Sequence, residues 1–408
     1  MSQPSNNVAS GVTLDGAIVR RAVICGVLGY VALELLSMIG YFWPPAGAPI
    51  FLVVVLAVAA LAWWRPDFGV LIALAELFTG SQGGALLAYD AGGTIVSLRI
   101  GIFLAVFGTW VARTAIGLLR GGVARKEAWA WWGDMRSRGL LWPYIALCAA
   151  ILYAAARGVM RGNPFSDVFF DANAYAYFAL LPAFFAGARA SKVPASSGTL
   201  LSSALGALMA GIAVSFVKAL TVLYFFSHRL FDIGWQFYLW VRDTRTGEIT
   251  IQTADFYRIF FQSQIWALAF ILAGALYAAY AGWKRGRWAV AVVAFAMGSM
   301  VLSLSRSFWF GGAVAGLAYG ALLLWWKAPA KVWWRSVAIA AGTAVAAVAV
   351  IALVYVFPFP RKTGELSFFN LLGSRATSLE DDAANSRWEL LPKLTAEAMK
   401  HPLLGSGF

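Results

Sequence analysis

Apolar residues run in blocks of about twenty along almost the whole chain, separated by short polar or charged connectors. A block of that length suits one helical crossing of a hydrocarbon core about 30 Å thick. The blocks predict spans at residues 22–43, 48–64, 68–89, 98–119, 140–157, 174–188, 199–226, 257–281, 287–304, 307–326 and 333–357, about eleven in all. They are too long and continuous for barrel strands, which alternate apolar and polar positions over about ten residues. The expected fold is all-α: a polytopic transmembrane helical bundle with a long, partly helical outer loop. Residues 1–200 make an N-terminal bundle. Residues 201–408 make a second region, with an outer loop at 227–256, spans over 257–357 and an outer loop at 358–408.

Composition agrees with the pattern. Of 408 residues, 61% are hydrophobic and only 12% charged, whereas soluble domains carry about 25% charge. Ser2–Gly16 is polar, Arg20 and Arg21 follow, and the apolar run continues to Trp43 with no small-residue cleavage site, so this segment reads as a first span rather than a cleaved leader. Both cysteines, Cys25 and Cys148, lie in apolar runs, which gives neither a disulfide framework nor a metal site.

The net charge of +13 changes the picture once it is sorted by connector. With the N-terminus in the cytoplasm, most lysines and arginines fall in inner connectors, as the positive-inside rule requires. The excess is therefore attributed to membrane topology, and no nucleic-acid partner is expected. Within one inner connector, residues 121–139 place Arg125, Lys126, Arg136 and Arg138 beside Trp129, Trp131 and Trp132, a composition suited to lying on anionic membrane lipid. A minority of cations break the rule. Arg229, Arg242, Arg245 and Arg258 fall in the outer connector after the seventh span, Arg306 in the tight outer turn between the ninth and tenth, and Arg361, Lys362, Arg375, Arg387, Lys393 and Lys400 in the last outer segment.

The chain is organised around the turn Ser303-Leu-Ser-Arg-Ser-Phe-Trp-Phe-Gly-Gly312. An arginine near a span end can snorkel to a headgroup phosphate. At this turn Arg306 is flanked by Ser305 and Ser307, at the start of a helix whose N–H groups and dipole favour an anion. Downstream, Gly312, Gly316 and Gly320 recur every four residues and predict a flat packing strip. Arg258 opens the eighth span, with a pair to Asp255 as the structural alternative. Ser386 and Glu389 match a capping box, which starts a helix at Ser386 with Arg387 in its first turn; Pro392 then kinks or resets it. Lys218 lies inside the seventh span and needs an acidic partner, either Glu34 or Glu76. His228 and His401 are the only histidines and read as structural.

No glycine-rich phosphate loop with Lys-Ser/Thr, no Asp-x-Asp pair in an early outer loop and no Cys/His cluster occurs, so neither an ATP motor nor a metal site is legible.

Two stretches read together: Ser303-Leu-Ser-Arg-Ser-Phe-Trp-Phe-Gly-Gly-Ala313 at the start of a span, and Asn385-Ser-Arg-Trp-Glu389 followed by Lys400-His-Pro-Leu-Leu-Gly-Ser-Gly-Phe408. This arrangement resembles the O-antigen ligase and polysaccharide-polymerase family over about residues 250–408. Ser307 stands where that family usually has glycine, and Trp388 directly follows Arg387. The resemblance implies a membrane glycosyltransferase, without cofactor or metal, in the bacterial cytoplasmic membrane. It would take a glycan from an undecaprenyl-pyrophosphate carrier at the outer face and join it to a glycan or lipid acceptor. Arg306 and Arg387, with Arg258 as a third, would hold the pyrophosphate, supported by Ser305, Ser307 and Lys218. Its base would be a histidine a little beyond Phe408, which implies a chain continuing past that point with at least one more span. From another class, a transporter or flippase of an anionic lipid-linked solute would use Lys218, Glu34 and Glu76 as intramembrane charges.

Overall fold

The computed structural model describes residues 14–80, 86–90, 95–190, 198–253, 256–360, 370, 373 and 382–400. Eight helices among them are long and apolar enough to cross a membrane, and nine if one bent pair counts as a single span. They include α1 (Gly16–Phe42), α2 (Pro44–Trp64), α4 (Leu98–Arg120) and α7 (Leu141–Met160), with the shorter α3 (Pro66–Thr79) following α2. Two short helices, α5 (Gly122–Ala128) and α6 (Ala130–Ser137), fill the connector before α7. The bent pair is α8 (Phe165–Asn173) with the segment Ala176–Arg189, angled by 53°; that segment ends in α9 (Leu181–Ala190). The remaining helices are α10 (Gly198–Ser227), α11 (Phe231–Asp243), α12 (Gln264–Ser303), α13 (Arg306–Trp325), α14 (Ala330–Val356) and α15 (Asp382–Lys400).

The 40 residues of α12 do not form one rod. Gly282, at φ 74° and ψ 171°, reverses the chain. A Cβ on Gly274 would lie 2.8 Å from Val293 Cγ2, and one on Gly286 would lie 2.9 Å from Ala278 Cα. In a straight helix the 19 residues from Gly274 to Val293 would span about 28 Å. Residues 264–281 and 283–303 therefore lie side by side, which accounts for the two apolar runs 257–281 and 287–304.

Three expected spans differ in form. The run from 257 starts as a strand, β4 (Phe256–Phe261), which pairs antiparallel with β3 (Gly247–Thr253); helix begins only at Gln264. Aromatic and β-branched residues make an apolar strand indistinguishable by hydropathy from the first turns of a span. The run 68–89 ends as helix at Thr79, because the N–H of Gly80 caps Glu76 O and a Cβ there would strike Glu76 and Arg99. Ala88–Asp90 then pairs with Ile95–Ser97 as a second hairpin, β1–β2. The run 174–188 is half of the bent pair rather than a straight span. The bundle is thus helical, with two small hairpins at one end.

Small residues set the closest helix contact, between α1 and α10. A Cβ on Gly26 would lie 2.8 Å from Ala210 Cβ, and one on Gly206 2.7 Å from Val19 O, so both positions exclude larger residues. The glycine strip of α13 does not behave this way. Gly312 and Gly320 meet the side chains of Met300 and Trp333, and Gly316 faces open space.

Hydrogen bonds define the two ends of the bundle. At one end Asp15 N donates to Ser202 Oγ (3.1 Å), Arg113 to Trp63 O, and Arg335 to Ala279 O (3.3 Å). At the other, Tyr41 Oη donates to Asp243 Oδ2 (2.6 Å) and Trp266 Nε1 to Leu77 O (2.6 Å). There the β3–β4 hairpin lies over a core that includes Trp240, Phe256, Ile259, Phe261, Leu302, Leu304 and Tyr355.

Candidate functional site

The corner between α12 and α13 is held by its own side chains. Ser303 Oγ donates to Met300 O (2.7 Å) and accepts from Ser305 N (3.2 Å). Leu304 takes a left-handed conformation (φ 44°, ψ 28°) that costs a residue with a Cβ about 1–2 kcal/mol. It is tolerated because the leucine side chain is wholly buried in the core under the hairpin. Trp309 Nε1 reaches back to Met300 O (3.2 Å) and braces the turn from the far side.

Helix α13 therefore starts on a rigid corner. Its N-cap is Ser305 in extended conformation, and the Ser305 side chain makes no cap hydrogen bond. Its first-turn N–H groups are thus not satisfied by that hydroxyl, and the positive end of the helix dipole lies beside half-buried Arg306 and exposed Ser307.

Strand β4 brings Arg258 to the same corner. Arg258 Nε donates to Ser303 O (2.9 Å), and Phe260, two residues on, stacks obliquely on Phe308 at 5.4 Å between centroids. The Arg258 guanidinium also lies 5.5 Å from the Phe260 ring. Arg258 thus sits on the outer strand and not at the head of a span, and its sequence alternative, Asp255, lies outside the described residues.

Arg387 lies in α15, and its side chain is outside the description. Helix α15 begins at Asp382, four residues before the capping-box serine, so Arg387 falls in the second turn. It also runs through Pro392. Both differ from the sequence expectation; Asp382 supplies an earlier start than Ser386, and the apolar Leu390, Leu391 and Leu394 continue a helical pattern across the proline. No contact places α15 against the arginine corner. The terminal stretch from His401 to Phe408, which carries part of the sequence resemblance, lies outside the described residues.

Lys218 is buried two to three turns from the end of α10 and donates to Glu34 Oε1 on α1 (2.6 Å). Its ammonium also lies 4.6 Å from the Phe261 ring centroid and 5.6 Å from that of Trp240. Glu76 has a different partner. Arg99 grips it with both Nε (2.8 Å) and Nη2 (3.1 Å), and Tyr177 Oη donates to its Oε2 (3.4 Å). The sequence shows both residues, but the pairing spans 23 positions and depends on the hairpin β1–β2 returning the chain to α3.

His228 is a brace. It is fully buried, with Nε2 2.7 Å from Phe357 O, and Nδ1 2.9 Å from Tyr224 O and 3.0 Å from Ser227 Oγ. Tyr224 stacks on its ring at 4.3 Å and donates from Oη to Phe359 O (3.0 Å). With both ring nitrogens engaged, the imidazole has no free nitrogen for a substrate proton.

On the neighbouring α11, Arg242 Nε donates to Asp243 Oδ1 (2.7 Å). That bond and the one from Tyr41 hold the Asp243 carboxyl below the usual carboxylate range. Among the described residues no cluster of three or more His, Cys, Asp or Glu could hold a metal.

No protein-family model, curated protein or solved structure matches the chain.

Proposed function

We propose that this protein is a membrane glycosyltransferase that joins an undecaprenyl-pyrophosphate-linked glycan to a lipid or glycan acceptor, as an O-antigen ligase or a polysaccharide polymerase. The observation that carries the reading is the bond from Arg258 to Ser303 O, which fixes a second guanidinium at the turn that presents Arg306 and the start of α13. A pyrophosphate needs several cationic donors at once, and guanidinium is permanently charged and grips two phosphate oxygens together. By the sequence resemblance, Arg387 joins this pair.

In the proposed reaction an acceptor hydroxyl attacks the anomeric carbon. The bond from that carbon to the pyrophosphate oxygen breaks, and undecaprenyl pyrophosphate leaves with the bonding electrons. Arg306 and Arg258 stabilise the charge that develops on the leaving group. The hydroxyl proton passes to a base other than His228, whose ring nitrogens are both engaged. The bundle end that carries the corner is assigned to the outer face of the bacterial cytoplasmic membrane, because the connectors at the opposite end hold most of the lysine and arginine.

A transporter of an anionic lipid-linked solute is the second reading, favoured by the buried Lys218–Glu34 pair. Glycan transfer by Arg306→Ala and Arg387→Ala in the complete protein separates the two. Loss of transfer with normal expression supports the transferase, and normal transfer by both variants sinks it.

A further inference from the structure

At the end of the bundle opposite the arginine corner, a cavity of about 740 Å³ opens between α2, α3, α4, α5 and α9. Its construction is specific. Two successive glycines, Gly121 (φ 70°) and Gly122 (φ 55°), turn the chain back so that α5 folds against the last turns of α4. Gly117 permits the contact: a Cβ there would sit 3.1 Å from both Ala124 O and Ala128 Cβ. The fold-back roofs the space beneath α5. Beyond it, Trp129, Trp131 and Trp132 stack on one another, and Trp131 meets Trp110 edge-on at 5.9 Å. Such an aromatic group anchors a segment at a membrane interface.

The lining combines apolar wall with charge. Arg113, Arg120, Arg189, Glu127 and Thr114 all line the cavity. Arg189 is paired with Asp134 on α6, and Arg113 caps Trp63 O with part of its guanidinium while keeping its full charge. Glu127 makes no ion pair among the described residues. Counting Asp134, the arginines exceed the acids by one, so one monovalent anion brings the site to neutrality.

We propose that this cavity binds the phosphodiester headgroup of an anionic membrane phospholipid, its acyl chains lying along the apolar flank between α2 and α4. Two features favour a lipid over a soluble anion. The site sits beneath a tryptophan-anchored segment, where headgroups are concentrated, and its inner wall is made of Ala62, Val70, Val106 and Ala183. It lies away from Arg258 and Arg306 and does not rest on the transferase reading.

The test uses the full chain in nanodiscs of phosphatidylcholine, titrated with phosphatidylglycerol and read by native mass spectrometry. The two lipids share the phosphodiester and differ in net charge. Phosphatidylglycerol is expected to bind preferentially, with Arg120→Gln weakening it about fivefold and Glu127→Gln tightening it about fivefold, since one charge near an anionic surface is worth about that factor. Opposite shifts from two neighbouring charge removals are not the signature of a fold defect. Equal binding of the two lipids, or the same direction of change in both variants, overturns the proposal. Displacement of phosphatidylglycerol by inorganic phosphate overturns the lipid assignment in favour of a soluble phosphate.

Discussion

Lys218 and Glu34 meet at 2.6 Å between α10 and α1, roofed by the rings of Phe261 and Trp240. Each charge is tolerable there only because of the other. Removing one partner from a buried pair costs about 3–5 kcal/mol, whereas replacing both with apolar residues of similar volume is close to neutral. Lys218→Met and Glu34→Leu should each destabilise strongly, and the double variant should recover most of the loss. Denaturant unfolding in detergent measures this. A double variant that folds and still transfers glycan would assign the pair to structure and remove the main support for a transporter.

Arg306 is expected to need its fork as well as its charge. Arg306→Ala should abolish glycan transfer, and Arg306→Lys should remain poor, because one ammonium cannot reproduce paired bonds to a pyrophosphate. Arg258→Lys should fall between them, since it loses the Nε bond that ties β4 to Ser303. Transfer assays on membranes with matched protein levels read all three; full activity of Arg306→Lys would contradict bidentate phosphate binding.

Leu304 sets two effects of opposite sign against each other. Leu304→Gly would relieve about 1–2 kcal/mol of left-handed strain. It would also delete a fully buried leucine, which costs about 2–5 kcal/mol for truncation to alanine. The packing loss is larger, so the variant should be destabilised by about 1–4 kcal/mol despite its more suitable backbone. Thermal unfolding of the purified protein checks the sign.

Asp243 gives a pH dependence at the same end of the molecule. Its bonds from Arg242 and Tyr41 lower its folded pKa, so it releases a proton more readily folded than unfolded. The link from α11 to α1 is therefore at full strength above the ordinary aspartate value of about 3.9. It declines as pH falls below that value and is lost below the lowered folded one. Carboxyl carbon chemical shifts of Asp243 should show the depressed midpoint, and Tyr41→Phe should move it back up.

The sequence made the helical, membrane-spanning character legible, because blocks of about twenty apolar residues have few other uses. It also placed Arg258, Arg306 and Lys218 near one end of their spans, through the breach of charge asymmetry. Pairings across the chain were not legible. Glu34 and Glu76 look alike as intramembrane acids, and only folding decides that Glu34 meets Lys218 while Glu76 meets Arg99. Strand β4 was read as the first turns of a span because Phe256, Ile259 and Phe261 are as apolar as any helix face. The break at Gly282 was visible only as a cluster of basic residues between two apolar runs.

That break also fixes a distance. The limb from 283 to 303 has 21 residues and rises about 32 Å, close to the thickness of a hydrocarbon core. The arginine corner stands at one end of this ruler, and the roofed cavity belongs to the opposite end. A phospholipid reaches only halfway across a bilayer, so no single lipid can touch both places. The protein samples the two leaflets independently, and substitutions at the two ends should combine additively.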